Sequence, residues 1–251
     1  MERINYYNEI FKRKSVRKYE QAPLSEDVME EIKQELAALK PLYEGIKTEL
    51  KIVDGSEIKG LLAAKAPHYI VAFSEAKEGY MTNMGFMLQQ MNLYFSAKGI
   101  GSCWLGGGKP TKNLVEASKL EPVIVLSFGK PQEELHRKSS SDFKRKALEE
   151  ITSIKEMNNI FEAVRLAPSA VNSQPWYFTG DGALIHAYCV KPKLITGFML
   201  GNMNKLDMGI ALYHLYLAAE KEGKALEFFT DSKAQEKVPK GYYYNCSIKI
   251  K

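Results

Sequence analysis

A chain of 251 residues, 45% apolar and 26% charged, can build one large domain or two small ones and is too rich in core material to stay disordered. Its net charge of +5 and pI near 8.8 suit an anionic small-molecule partner without requiring nucleic acid. Three widely separated cysteines, Cys103, Cys189 and Cys246, argue against a disulfide framework or a zinc site, and apolar runs of strand length argue against a membrane span, so a cytoplasmic location is expected.

The first thirty residues contain no long apolar core of the signal-peptide kind. A first helix is predicted over about Tyr6 to Arg13, followed by an extended segment, Ser15 to Tyr19. Pro23-Leu24-Ser25-Glu26-Asp27 reads as a helix start, with Ser25 capping and acids in the first turn. Val28, Ile32 and Leu36 then share one helical face. Leu50 to Val53 reads as a strand ending in an Asp-Gly turn. A short helix is predicted over about Ser56 to Ala64, and a buried strand over His68 to Phe73.

Met81 to Lys98 reads as a long helix ended by Gly99. Its stripe of Met84, Met87, Leu88, Met91 and Phe95 is taken as core filling. A glycine-rich segment from Gly99 to Gly108 follows, then a strand over Val123 to Ser127 and a turn at Gly129-Lys130-Pro131. Residues Gln132 to Ser141 are polar loop, and a helical pattern resumes over Ala147 to Ile151. Beyond this the pattern begins again. Ile160-Phe161 echoes Ile10-Phe11, and Met84-Gly85…Gly99 is echoed at the same interval by Met208-Gly209…Gly223, with Leu88 matching Leu212 and Leu93 matching Leu217. A faded internal duplication is one reading, and two unrelated buried helices another. Gly99-Ile100-Gly101 follows a helix and lacks a third glycine, so a Rossmann site is not supported.

Three segments can carry chemistry. In an extended Arg13-Lys14-Ser15-Val16-Arg17, alternation puts Arg13, Ser15 and Arg17 on one side, two guanidinium forks and a hydroxyl suited to a phosphate. In Ala167-Pro168-Ser169-Ala170-Val171-Asn172-Ser173-Gln174-Pro175-Trp176, two prolines prevent regular structure. Small side chains there admit a planar ligand, Asn172 and Gln174 offer donors and acceptors to a heterocycle edge, and Trp176 can pack behind. In Trp104-Leu105-Gly106-Gly107-Gly108, a backbone with few side chains can turn its N–H groups to a ligand.

On these residues the sequence resembles the nitroreductase family of FMN enzymes. Members open with a helix and an Arg-x-Ser-x-Arg type segment. They also carry a Pro-Ser-x-x-Asn-x-Gln-Pro-Trp motif, a long helix ending in a glycine-rich segment, a Gly-x-Pro turn and a basic cluster. The resemblance implies an α+β fold, a three-layer α/β/α sandwich with mixed, mainly antiparallel sheets. In the usual family the proline-tryptophan motif comes early, whereas here it lies far behind Arg17. Usual members are homodimers holding FMN at the interface. The resemblance therefore implies two fused halves, 1–150 and 151–251, forming an internal pseudo-dimer with one complete FMN site and a defective second one.

Carried over by position, Arg13, Lys14, Ser15 and Arg17 would hold the phosphate and ribityl chain, and Lys144 or Arg145 would add a cation. Backbone N–H groups at Leu105, Gly106 and Gly107 would face the flavin's polar edge, and Pro168, Ser169 and Asn172 would meet the ring or ribityl chain. The flavin carries the redox step, so no catalytic side chain or metal is required; His68, His136, His186 and His214 show no metal-ligand spacing. The expected activity is an NADH- or NADPH-dependent ping-pong reduction of a nitroaromatic or quinone-like electron acceptor. Another flavin reaction, such as dehydrogenation or reductive dehalogenation, or flavin binding without turnover, are the alternatives. No nucleic-acid or membrane partner is expected. The fused chain is expected to act as a monomer, with further pairing left open.

Overall fold

The apolar runs at Tyr69–Phe73 and Val123–Leu126 lie in paired strands of one of two four-stranded antiparallel sheets. The computed structural model describes residues 6–60, 64–191 and 197–251, with side chains described in all of these except 197–200. The chain divides into two compact units, Met1–Asp142 and Phe143–Lys251.

In the first unit the order is α1 (Tyr7–Ile10), α2 (Glu26–Ala37), β1 (Thr48–Val53), β2 (Ile58–Lys59), β3 (His68–Ser74), α3 (Tyr80–Ala97), β4 (Gly101–Leu105), β5 (Lys109–Pro110), α4 (Lys112–Ser118) and β6 (Glu121–Gly129). The sheet runs β1-β3-β6-β4, and β2 pairs with β5 alone. Six consecutive residues of β3 are buried, because the sheet is covered on both faces. Helix α3 packs against β3, β4 and β6, where Phe95 stacks on Phe128 with ring centroids 4.8 Å apart. A second apolar cluster joins Val16, Tyr19, Tyr69, Val71, Phe73, Cys103, Leu105 and Val125. Met84, Met87 and Met91 are all buried, the core role expected of them.

Two local expectations give way to long-range pairing. Helix α1 stops at Ile10 because the following backbone is recruited elsewhere: Arg13 bridges to His136, Tyr19 to Pro131, and the Val16 N–H donates to the Ser102 carbonyl at 3.0 Å. The helix predicted over Ser56 to Ala64 is instead a 3-10 turn at Gly55–Glu57, where the Asp54 carboxylate accepts the Ser56 N–H at 2.7 Å. Ile58 and Lys59 then pair with Pro110 and Lys109; residues 61–63 of that prediction lie outside the described residues. Ser25 stands at the N-cap of α2 without a side-chain cap bond.

Gly101 marks where the Arg13–Arg17 segment meets β4. A Cβ there would lie 2.7 and 2.9 Å from Cγ1 and Cβ of Val16, which is fully buried and branched. Gly101→Ala should therefore destabilise the protein by about 1–3 kcal/mol through overpacking, read as a lower urea midpoint with an unchanged m-value.

In the second unit the order is α5 (Asn158–Arg165), β7 (Trp176–Gly180), β8 (Leu184–Val190), α6 (Gly197–Lys221), β9 (Leu226–Phe229), α7 (Ser232–Glu236) and β10 (Tyr242–Ile250). A 3-10 turn at Leu148–Glu150 replaces the helical pattern predicted over Ala147 to Ile151. The sheet runs β7-β8-β10-β9. Helix α5 packs on α6, and Phe161 meets Phe178 of β7 at 5.4 Å. Every named strand pair in both units is antiparallel; among the described residues, parallel pairing is confined to isolated bridges at Lys18–Lys65 and Thr152–Phe178.

The two units share an element order of helix, two strands, long helix, strand, short helix, strand, with the last strand inserted between the second and third in both sheets. Their long helices end alike. Gly99 and Gly223 take φ of +77° and +73°, with Ile100 N–H donating to the Phe95 carbonyl at 2.8 Å and Lys224 N–H to the Ala219 carbonyl at 2.9 Å. Ile160-Phe161 lies on α5, which stands in the place of α2, so its echo of Ile10-Phe11, at the end of α1, does not follow the topology. Among the described residues, no helix is long and apolar enough to cross a membrane.

Candidate active site

The Arg13–Arg17 segment is fixed by its backbone. Arg13 is only 2% exposed, its carbonyl accepts from the Arg137 guanidinium, and its Nη2 donates to Ser15 Oγ at 3.3 Å. Glu133 Oε1 accepts the N–H groups of Arg17 and Lys18 at 2.6 and 3.2 Å, and Lys14 Nζ stands 3.8 Å from the same carboxylate. The Arg17 N–H, chiefly, holds Glu133 below the usual carboxylate range. At Cys103 of β4, burial pushes the thiol up, while the charges of Arg17 and Arg13 and the Ser15 hydroxyl oppose this. Arg13 and Ser15 are joined by their own hydrogen bond, whereas Lys14 turns to Glu133. Arg13 is buried and Arg17 exposed, so they do not present equivalent forks.

Strand β4 leads straight into the glycine-rich segment. Leu105 is a core residue paired with Val125, so only its main chain can face a ligand. Gly106 and Gly107 are exposed in a turn closed by Gly108 N–H donating to the Leu105 carbonyl at 3.1 Å. Gly60, at φ +101°, has the Gly107 carbonyl 2.5 Å from where a Cβ would lie, so only glycine fits the crossing. The indole Nε1 of Trp104 is buried without a hydrogen-bond partner among the described residues. It is a further candidate donor beside this turn, in a segment that the sequence marks by its glycine backbone and not by its indole.

In the second unit, the loop after α5 carries unusual backbone strain. Val171, Asn172 and Gln174 have φ of +47°, +57° and +46°, and Lys144, which touches this loop, has +47°. Each such non-glycine residue costs on the order of 1–3 kcal/mol and persists only when its surroundings over-determine it. They do so here. Asn172 Nδ2 donates to the Lys144 carbonyl at 2.9 Å and its Oδ1 accepts from Arg145. Gln174 Oε1 accepts the Lys146 N–H at 2.8 Å, its carbonyl accepts from Lys146 Nζ at 2.9 Å, and its Nε2 donates to the Asn172 carbonyl at 3.0 Å. Ser169 Oγ accepts the Gln174 N–H at 2.9 Å.

These bonds show how the segment singled out in the sequence is held. The amides of Asn172 and Gln174 are committed to the loop itself, and Gln174 is buried. Arg145 is turned inward, donating to the carbonyls of Phe143 and Leu166 as well as to Asn172. The basic cluster Lys144–Lys146 belongs to the second unit and braces this loop; Lys144 is its exposed member. Pro168 is buried, Ser169 is half-buried, and Val171 stands 84% exposed at the strained apex. Trp176 packs behind at 1% exposure, as expected. The four histidines are dispersed among separate partners: Leu24 for His68, Ser96 for His136, Ser247 for His186 and Ala163 for His214.

A family model described as "Putative TM nitroreductase" matches residues 5–219. The chain belongs to this family. Oxidoreduction is accordingly its general chemistry. A Thermotoga maritima protein described as a "putative nitroreductase" is 21% identical over all of this chain and 94% of its own, with a TM-score of 0.66, and shares the fold. An FMN-dependent nitroreductase from Clostridium difficile R20291 is 20% identical over 56% of this chain and 94% of its own, with a TM-score of 0.44. No curated protein matches.

Proposed function

We propose that the chain is an FMN-dependent reductase that takes electrons from NADH or NADPH and delivers them to a nitroaromatic or quinone-like acceptor in a ping-pong cycle. The observation that carries this reading is the braced, strained loop from Ser169 to Gln174 in a nitroreductase-family chain. A loop held in costly conformations by its own amides is built to present a surface. The first unit supports the reading with a donor set, the guanidinium groups of Arg13 and Arg17 and the Ser15 hydroxyl, of the kind that suits a phosphate monoester.

In this reading Arg13, Ser15 and Arg17 bind the phosphate and ribityl chain, with Lys14 contributing charge and Lys144 a further cation. Pro168, Ser169 and Asn172 meet the ring or ribityl chain, and Arg145 orients Asn172. Main-chain N–H groups at Leu105, Gly106 and Gly107 stabilise negative charge on the polar edge of the ring. The bound flavin supplies the hydride chemistry.

The shared sheet order and the matching glycine caps support an internal duplication acting as a pseudo-dimer. Where the second unit has Pro168-Ser169-Ala170 after its first helix, the first has Pro41-Leu42-Tyr43 after α2. That half therefore lacks the serine and asparagine, and one FMN per chain is expected, in a protein that works as a monomer.

The purified protein should show flavin absorption at one FMN per chain, bleach anaerobically on adding NADH or NADPH, and recover with 1,4-benzoquinone. A colourless protein that takes up no added FMN sinks the reading, and two flavins per chain would sink the single-site part of it. A bound flavin that neither nicotinamide reduces would replace the proposed reaction with another chemistry.

A further inference from the structure

Asp207 has no part in the reading above, yet its placement is unusual for a carboxyl group. It lies on α6 at 2% exposure, in an otherwise apolar stretch that includes Leu206, Met208 and Ile210. Both its oxygens are within hydrogen-bond reach of one donor, the Ala170 N–H, at 3.1 and 3.0 Å. Among the described residues no lysine or arginine pairs with it. A buried carboxylate without a cation is strongly disfavoured, so burial favours the neutral form of the group. Burial accordingly drives the Asp207 carboxyl well above the usual range, with the Ala170 N–H only partly opposing.

We propose that Asp207 is the positioning residue of the flavin loop, anchoring Ala170 so that Ser169 on one side and Asn172 on the other are held for the cofactor. This rests on the flavin-binding reading of those two residues. The strain explains the need for such an anchor. Val171 and Asn172 are both left-handed, and the Ala170 N–H is the donor immediately before them. Releasing it would let the backbone relax out of that conformation and take Asn172 away from Arg145 and the Lys144 carbonyl.

The first unit supplies an internal control for the chemistry. Asn83 stands immediately before Met84-Gly85 on α3, as Asp207 stands immediately before Met208-Gly209 on α6. Its Oδ1 accepts the N–H groups of Leu42 and Tyr43 at 2.8 and 3.0 Å, in the loop after α2. One helix position thus supplies the side-chain acceptor for the preceding loop in both units, once as an amide and once as a carboxyl. What the job needs is a neutral oxygen acceptor of that length. An amide should therefore replace Asp207, and a side chain without an acceptor, or too short to reach, should not.

The test compares Asp207→Asn, Asp207→Leu and Asp207→Ser with the unaltered protein in two measurements. One is FMN affinity, from quenching of FMN fluorescence on binding to the flavin-stripped protein. The other is amide hydrogen exchange of the peptide containing Ala170, without flavin. Asp207→Leu and Asp207→Ser should weaken FMN binding about tenfold or more, the scale of one lost hydrogen bond to a buried partner, and speed exchange at that peptide. Asp207→Asn should bind FMN within about threefold of the unaltered protein and keep the peptide protected. Loss in Asp207→Asn equal to that in Asp207→Leu, or unchanged exchange and affinity in both Leu and Ser variants, would overturn the proposal. If Asp207→Leu does not fold, the Ser and Asn variants decide between the same outcomes. An unaltered protein that binds no FMN would refute the flavin reading alone, since the exchange measurement tests the anchor without it.

Discussion

Arg17→Ala should weaken FMN binding by about 10- to 100-fold while leaving thermal unfolding nearly unchanged. The side chain is exposed, so its removal creates no cavity. The bond that fixes the segment here is from the Arg17 backbone N–H to Glu133, and alanine retains that N–H. On the proposed reading, the change removes a charge-assisted contact with the phosphate, worth about 1.5–3 kcal/mol. Arg13→Ala, by contrast, should lower stability as well, because Arg13 is buried and its guanidinium engages Ser15. Asn172→Ala should weaken the same bound FMN for a different reason. It removes the acceptor of Arg145 and the donor to the Lys144 carbonyl, and so loosens the loop. Fluorescence titration of flavin-stripped protein reads both variants. A full-strength FMN persisting in either one would mean that these residues do not serve a single site.

Trp176→Ala should be the most damaging substitution for stability, costing about 3–5 kcal/mol. Trp176 is the largest fully buried side chain and begins β7, pairing with Cys189. It also directly follows the braced loop, so its loss should reach the loop as well as the core. Tyr177, the next residue, points to the other face, where it is half-buried and tilted against Tyr242 at 5.4 Å. Tyr177→Ala should therefore cost clearly less. Urea unfolding followed by far-ultraviolet circular dichroism distinguishes the two, and equal losses would contradict the burial assigned to them.

The parts of the fold legible in the sequence are those set by local pattern and burial. The run ending in Gly99 reads as a helix because its stripe and its stop signal agree, and α3 spans nearly the predicted residues. The buried strands β3 and β6 read correctly because their apolar runs are continuous. The misread elements are those whose backbone bonds go to distant partners. Ser56 to Ala64 has a helical pattern, but pairing of Ile58 and Lys59 with Pro110 and Lys109 and the Gly60–Gly107 crossing decide its shape. Site residues follow the same division. Donor and acceptor types at Asn172, Gln174 and Arg145 were legible, but not that these groups satisfy one another. Asp207 left one trace, a single acid amid the apolar stretch of a long helix. Without the Ala170 N–H in view, nothing marked it as more than a local irregularity.

The strand order has a consequence for how the protein is made. In each sheet the last strand of the sequence occupies an inner place: β6 pairs with β3 and β4, and β10 with β8 and β9. The first sheet has all its strands once Gly129 has been synthesised. The second must wait for the ribosome to pass Ile250; until then β9 has no partner strand in the sheet, and β7 and β8 pair only with each other. A stalled or clipped chain missing those last nine strand residues would lose the middle of its second sheet rather than a dispensable tail, leaving two open edges exposed to aggregation.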